Sequence, residues 1–390
     1  MITHPTLMRV AIVTESFLPN VNGVTNSVLR LLENLAESGD QALVIAPDAE
    51  GVPSTYAGHP VRTTAVIPTQ NFLPVNMPMA LPQKRIEHLI DGFGADLIHL
   101  ASPFALGSYV TKVAKRLNIP TLSVYQTDLG GFAKQYGLGV AQTTLQKYLY
   151  KIHSQTDRTL APSTSTCLEL HLAGVPEVYL WRRGVDINLF NPNKSDASLR
   201  DSWKGGNKNK LIVGYVGRLA QEKRLLDLIP LDRDANVQLV IVGDGAHRKK
   251  LETSLPNAIF LGFKSGPELA KIYASFDLFI HPGPNETFCQ SVQEALASGV
   301  PAIVPTTGGP VDLVTNGRTG YILDISESEL LTATVKSFYL KRNKSQMSVA
   351  ARDSVKKRTW ESIFKELRAH YQDLIALKQG ENFAESSGVA

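Results

Sequence analysis

The sequence predicts an α/β protein of two doubly wound, Rossmann-like domains, and three observations predict it. A unit of short β-rich run, polar or Gly/Pro break and helical pattern recurs from Arg9 to about residue 357. The β-rich runs are almost continuously apolar, as strands covered on both faces by helices must be. The recurrence is interrupted by RGVDINLFNPNKSDASLRDSWKGGNKNK at 183–210, rich in Asn, Lys, Gly and Asp and without sustained periodicity. That stretch reads as a linker or lead-in loop, with residues 1–184 forming an N-terminal domain and 185–357 a C-terminal one. Two similar domains invite a cleft between them, and open sheets of this kind bind ligands beyond the carboxyl ends of their strands.

In order, RVAIVTE is the first strand, and SFLPNVNG leads into VTNSVLRLLENLAESG, where Val24, Val28, Leu31, Leu32 and Leu35 share a helical face ahead of a Gly stop. ALVIAP, DLIHLASP, TLSVYQTD, RTLAPS and EVYLWRRG follow as strands of the first domain. LIVGYVG, VQLVIVGDG, AIFLG, FDLFIHP, PAIVP and TGYIL are strands of the second. A terminal segment, 358–378, spaces Ile363, Phe364, Leu367, Tyr371, Leu374 and Ile375 as an amphipathic helix. The polar, small-residue tail at 379–390 is expected to lack order.

The chain has 390 residues, 43% hydrophobic and 19% charged, enough for two or three cores. A net charge of +4 is too mild to indicate nucleic acid, but suits an anionic ligand or an anionic membrane face. Two cysteines, Cys167 and Cys289, exclude a disulfide framework and fit a reducing compartment. No apolar run approaches the roughly 18 to 20 residues of a spanning helix, and no charged-then-apolar leader precedes the first strand. The expected location is cytoplasmic, with a peripheral position at the inner membrane face as an option. The helix QTTLQKYLYKIHSQTDR sets Lys147, Lys151 and Arg158 beside Leu145, Tyr148, Leu149 and Ile152, a pattern for an anionic surface or for a solvated helix packed on the sheet.

Chemistry concentrates in HPGPNETFCQSVQEALASGVPAIV, 281–304, which reads as strand end, Pro/Gly turn, helix beginning near Glu286, Gly stop and next strand. On such a helix the step from Glu286 to Glu294 advances about 12 Å and rotates about 80°. Both carboxylates then face one quadrant, at a span matching the distance from a sugar to a ribose across a diphosphate. Two glutamates alone are equally ordinary helix formers on a solvated face.

Their company raises the functional reading. VGRLAQEKR, 216–224, puts Arg218 and Lys223 in a loop after a strand, able to meet one anion. A departing diphosphate gathers charge as the glycosidic bond breaks, and fixed cations answer that charge where the sequence offers no metal-ligand cluster. Asn22, Gly23 and Val24 close a loop before a helix, where a glycine lets a phosphate approach free amides. YQTDLGGFAKQYG ends a strand with Gln126 and Asp128, candidates for sugar hydroxyls or acceptor positioning, although Asp128 equally suits a helix cap. Backbone amides around Phe263, Lys264 and Ser265 are placed to read the edge of a base. GDG at 243–245 and GG at 308–309 are as consistent with plain turns.

Taken together these residues resemble the retaining glycosyltransferases of the GT-B fold, family GT4. The resemblance covers most of the chain: Asn22-Gly23-Val24, the GVD…F.P lead into the second domain at Gly184 to Pro192, GRLAQEK, and the acidic pair of ETFCQSVQEALASGVP. Within the family it is nearest the GDP-mannose-dependent α-mannosyltransferases acting on lipid acceptors. YQTD and the loop around PVNMPMALP carry that finer likeness, shared with sulfoquinovosyl-lipid enzymes. The resemblance implies that Arg218 and Lys223 hold the diphosphate, Glu286 meets the transferring sugar and Glu294 takes the ribose hydroxyls. It further implies sugar contacts from the amides of Phe288, Cys289 and Gln290, a donor-phosphate approach at Gly23, and a terminal helix crossing back to the N-terminal domain.

Gln126 stands where many members place a His. It donates and accepts hydrogen bonds but does not titrate, which argues against acid/base work at that position and leaves Asp128 as the segment's substitute catalytic candidate. The implied activity is transfer of a hexose, mannose from GDP-mannose first among them, to an acceptor hydroxyl of a glycolipid with retained configuration. No obligatory cofactor is implied beyond the nucleotide-sugar donor. Two other classes share the features: a sugar-nucleotide 2-epimerase, which would convert donor without acceptor, and a non-catalytic nucleotide-sugar-binding module.

Overall fold

The structure is a computed structural model, and it describes residues 7–67, 79–101, 103–126, 139–340 and 344–387. The chain divides into two compact units. The first comprises the chain up to Pro162, Thr166–Trp181 and the chain from Ile363, and the second Ser163–Ser165 and Arg182–Ser362.

In the first unit lie β1 (Arg9–Thr14), β2 (Gln41–Pro47), β3 (Thr55–Tyr56), β4 (His59–Thr64), β5 (Val66–Ile67), β6 (Met79–Ala80), β7 (Leu97–Ala101), β8 (Thr121–Val124), β9 (Arg158–Ala161) and β10 (Val178–Leu180). Eight of them form one sheet in the order β10-β9-β8-β7-β1-β2-β4-β3, parallel except for the β3–β4 pair, and β5 with β6 makes a separate ribbon. The six strands expected from apolar runs are present. Strands β3 to β6 were not legible: HPVRTT, the β4 sequence, is mostly polar because β4 borders the sheet through the two-residue β3.

The helix Gly23–Glu37 follows β1, capped by Asn22, whose side chain accepts from the amides of Val24 and Thr25. Val28, Leu31, Leu32 and Leu35 are buried as its spacing requires. The helix Gly139–His153 buries Leu149 and Ile152 within the first unit. Arg158 lies beyond it in β9, buried and paired with Asp373 at 2.7 Å. Of the proposed membrane-facing set, therefore, Leu149, Ile152 and Arg158 serve internal packing, and Lys147 and Lys151 are exposed.

The terminal helix, Trp360–Ser387, extends past the expected end at 378. From Ile363 it belongs to the first unit. Leu367, Tyr371 and Leu374 are buried there, Arg368 grips Asp40 through two 2.9 Å bonds, and the Tyr371 hydroxyl meets His99 Nδ1 at 2.7 Å.

The second unit contains β11 (Leu211–Val216), β12 (Val237–Val242), β13 (Ile259–Gly262), β14 (Leu278–Ile280), β15 (Ala302–Val304) and β16 (Gly320–Ile322). All six run parallel, in the order β13-β12-β11-β14-β15-β16. Chain order reverses at β11, so the loops leaving β11 and β14 sit at the switch point where open sheets hold ligands. Gly214 leaves the sheet face open for the Phe276 ring just before β14, since a Cβ there would lie 2.2 Å from that ring.

The stretch expected to be linker is folded into this unit. Asp196 caps the helix Ala197–Lys204, and Trp203 is buried against Phe276 in the second unit's core. Sparse apolar residues concealed it, since one tryptophan carries most of its burial. Among the described residues no helix is long and apolar enough to cross a membrane.

Candidate active site

The loop after β11 carries the two cations. Tyr215, buried on β11, donates its hydroxyl to the Arg218 carbonyl at 3.1 Å, and a 3-10 turn, Gln221–Lys223, follows. The Arg218 guanidinium is 56% exposed and pairs with the buried Glu222. Lys223 points the other way, to Glu286, from a side chain only 16% exposed. The two cations are thus each engaged by a carboxylate, Arg218 by Glu222 and Lys223 by Glu286.

The GDG segment is more than a turn. A Cβ on Gly243, whose φ is +129°, would lie 2.0 Å from the Gly217 carbonyl oxygen, and one on Gly245 would lie 2.4 Å from that of Leu219. The Asp244 carbonyl accepts from the Leu219 amide at 2.9 Å. The loop after β12 therefore braces the backbone of the Arg218 loop, and only glycine permits the approach.

The loop after β14 carries the acids, and here the predicted helix start is wrong. The helix is Gln290–Ala297, so Glu286 stands in the preceding loop and the geometry worked from a continuous helix does not apply. Pro282 and Pro284 favour an extended path, and Cys289 adopts φ +91°, a left-handed conformation that interrupts any helix reaching back to Glu286. The loop is held instead by the glycine pair. The Gly309 amide donates to the Glu286 carbonyl at 2.7 Å, and a Cβ on Gly309 would lie 2.2 Å from the Thr287 carbonyl oxygen.

Glu286 is the electrostatic centre. Burial opposes its charge, but the adjoining His281 ring and the Lys223 ammonium outweigh it and bring the carboxyl down to about 2. His281 Nε2 lies 3.3 Å from Glu286 Oε1. Burial also opposes charge on His281, and the neighbouring Cys289 and Glu286 overcome that opposition, pushing it up to about 9. Burial pulls Arg183 down to about 10, with Glu286 acting against the shift.

Glu294 occupies the second turn of the helix Gln290–Ala297. Burial pushes its carboxyl up to about 7, while the Tyr273 hydroxyl acts in the opposite sense. Tyr273 also feels Cys289 and Tyr215, which in turn feels Glu286, so both acids belong to one cluster although they do not share a helix. Phe288 and Cys289 are buried, Gln290 donates from Nε2 to the Gly184 carbonyl at 3.0 Å, and the first amides of the helix have no partners inside it.

Phe263, Lys264 and Ser265 follow β13. Phe263 is 77% exposed, Lys264 binds Glu268 at 2.6 Å, and Ser265 precedes the helix Gly266–Ala274. Gly23 and Gln126 are in the first unit, at the start of the helix Gly23–Glu37 and just beyond β8. Asp128 and most of the PVNMPMALP loop lie outside the described residues.

The structure therefore brings Arg218, Lys223, Glu286 and Glu294 to neighbouring strand ends of one sheet and adds His281 and Arg183, which sequence reasoning missed. His281 was available as the polar residue ending an apolar strand, FDLFIHP. Arg183 gave no comparable signal.

Comparison with known proteins gives this arrangement a family. The description Glycosyl transferases group 1 matches residues 200–354, and Glycosyltransferase Family 4 matches 21–189. A GDP-mannose-dependent alpha-mannosyltransferase of Corynebacterium glutamicum is 46% identical over 375 residues, covering 95% of this chain and 90% of that one. Its namesake in Mycolicibacterium smegmatis is 47% identical over 371 residues, covering 94% and 98%. The solved sucrose-phosphate synthase of Thermosynechococcus elongatus superposes with a TM-score of 0.77 at 17% identity, covering 95% of this chain and all of that one, a likeness of fold. Two parallel-sheet Rossmann-like units of the GT-B type, with both family descriptions matched in order along the sequence, make this chain a glycosyltransferase and a member of glycosyltransferase family 4.

Proposed function

We propose that the chain transfers mannose from GDP-mannose to an acceptor hydroxyl, with the anomeric configuration retained and a lipid or glycolipid as acceptor. The observation carrying the donor is the 46–47% identity, over nearly the whole chain, to relatives named for that donor. The lipid acceptor rests on the resemblance to the lipid-directed members and on the exposed Lys147 and Lys151, suited to an anionic membrane surface.

In this reading Arg218 and Lys223 turn from their carboxylates to the diphosphate and stabilise the charge that grows as the glycosidic bond breaks. The acceptor attacks from the face the diphosphate leaves, and a phosphate oxygen takes its proton. Glu286 meets the sugar, Glu294 the ribose hydroxyls, the amides of Phe288 to Gln290 the sugar hydroxyls, and the Phe263–Ser265 segment the base. Roles for Gly23, Gln126 and Asp128 are tested by single substitution, with donor KM and kcat as readouts.

The deciding experiment pairs a thermal-shift panel of GDP, UDP, ADP and their sugar conjugates with turnover of GDP-mannose in the presence and absence of a lipid extract. GDP and GDP-mannose should raise the melting temperature, since a ligand of the folded state stabilises it. Mannosyl lipid with an α-anomeric signal should form only when lipid is present. Arg218→Ala and Lys223→Ala should each lower kcat about 10²-fold. Stabilisation by UDP compounds alone, conversion of donor without acceptor, or near wild-type turnover in both variants would overturn the assignment.

A further inference from the structure

Lys223 faces two demands. Its ammonium holds Glu286, whose side chain is 22% exposed, yet the proposed diphosphate draws the same ammonium away. A carboxylate so enclosed is costly to leave uncompensated. His281 is placed to answer this. Its amide donates to Ile303 at 3.0 Å, its ring stacks on Tyr215 at 6.1 Å with planes 19° apart, and its side chain is 3% exposed.

Nε2 stands 3.3 Å from Glu286 Oε1, but among the described residues neither ring nitrogen completes a hydrogen bond of good geometry. A small movement of Glu286 toward the ring would complete one. The space is kept by Gly283, where a Cβ would press on His281 Nε2 and Lys223 Cα, each at 3.3 Å.

We propose that His281 is a positioning residue for the transfer: its imidazolium takes over the Glu286 carboxylate when Lys223 moves to the donor diphosphate, and so keeps Glu286 set against the sugar. The inference rests on the diphosphate reading of Lys223. Glu286 and Cys289 from the following loop and Tyr215 from β11 face the ring, while Lys223 and Arg183 act on it through Glu286, and Glu222 through Tyr215. Burial lowers the ring and its neighbours Cys289 and Glu286 raise it, to about 9.

The test compares wild-type protein with His281→Gln. GDP affinity by calorimetry should change by no more than about threefold, because the diphosphate cations are intact, whereas kcat should fall about tenfold or more with little change in donor KM. Wild-type kcat should decline as pH rises through about 9, and His281→Gln should lack that alkaline limb. A purely structural role would not remove a limb. As a measurement independent of the variant's folding, NMR of histidine-labelled wild-type protein should show a buried ring still protonated at pH 8 with GDP bound.

A neutral ring in that complex, or a variant with wild-type kcat and the same limb, overturns the inference alone. Wild-type protein that neither binds GDP nor uses GDP-mannose overturns the diphosphate reading, and this inference with it.

Discussion

Replacing Glu294 by Gln should make the protein more stable and a worse enzyme, and only above a defined pH. The carboxyl is pushed from an ordinary 4.5 up to about 7, chiefly by burial. Below the lower value both the folded and unfolded chains hold the proton. Between the two the unfolded chain has released it and the folded protein still binds it, so stability declines as pH rises through this window. Above it the difference amounts to about 3 kcal/mol, an upper value because the side chain keeps some solvent contact. Glutamine has nearly the same volume and carries no such cost.

At pH 8 the Glu294→Gln protein should melt up to about 6–12 °C higher, at about 2–4 °C per kcal/mol for a unit of this size. At pH 4.5 the two proteins should melt together. Differential scanning calorimetry at both pH values reads the effect, and calorimetric titration with GDP should show affinity about tenfold lower through the lost ribose contact. An equal offset at both pH values, or a lower melting temperature at pH 8, would refute the electrostatic account of Glu294.

Gly309→Ala should lower kcat about tenfold or more by driving a methyl group into the Thr287 carbonyl and displacing Glu286, with a stability loss of about 1–3 kcal/mol in chemical denaturation. Its control is Gly92→Ala in the helix Lys84–Phe93, where a Cβ meets nothing within 4 Å and about 0.5–1 kcal/mol should be gained. Arg368→Ala should cost about 3 kcal/mol by leaving the wholly buried Asp40 carboxylate without its cation. Hydrogen exchange should then accelerate in the terminal helix, and unchanged exchange there would show that Arg368 does not fasten it.

Much of the fold was legible because strands such as VQLVIV are buried along their whole length, and that burial leaves a continuous apolar signature. Border elements escaped for the converse reason: β4 buries the polar His59 and Thr64 beside Val61, the helix Ala197–Lys204 buries Trp203, and both read as polar connection. The segment around Glu286 was legible in kind but not in geometry. Its periodicity runs on past the true helix start, and nothing in the residue types announces that Cys289 takes a positive φ.

The amino-acid order by itself determined the alternation of strand and helix and the presence of two cations and two acids after apolar strands, since each depends on side-chain type and near neighbours. Only the tertiary structure decided which charge meets which. Glu286 faces Lys223, 63 positions away in sequence, and His281 beside it, because β11 and β14 lie side by side and loops packed against glycine backbones fix where their side chains emerge. Pairing across a sheet follows strand order, and strand order is a property of the assembled layers that no local run of residues carries.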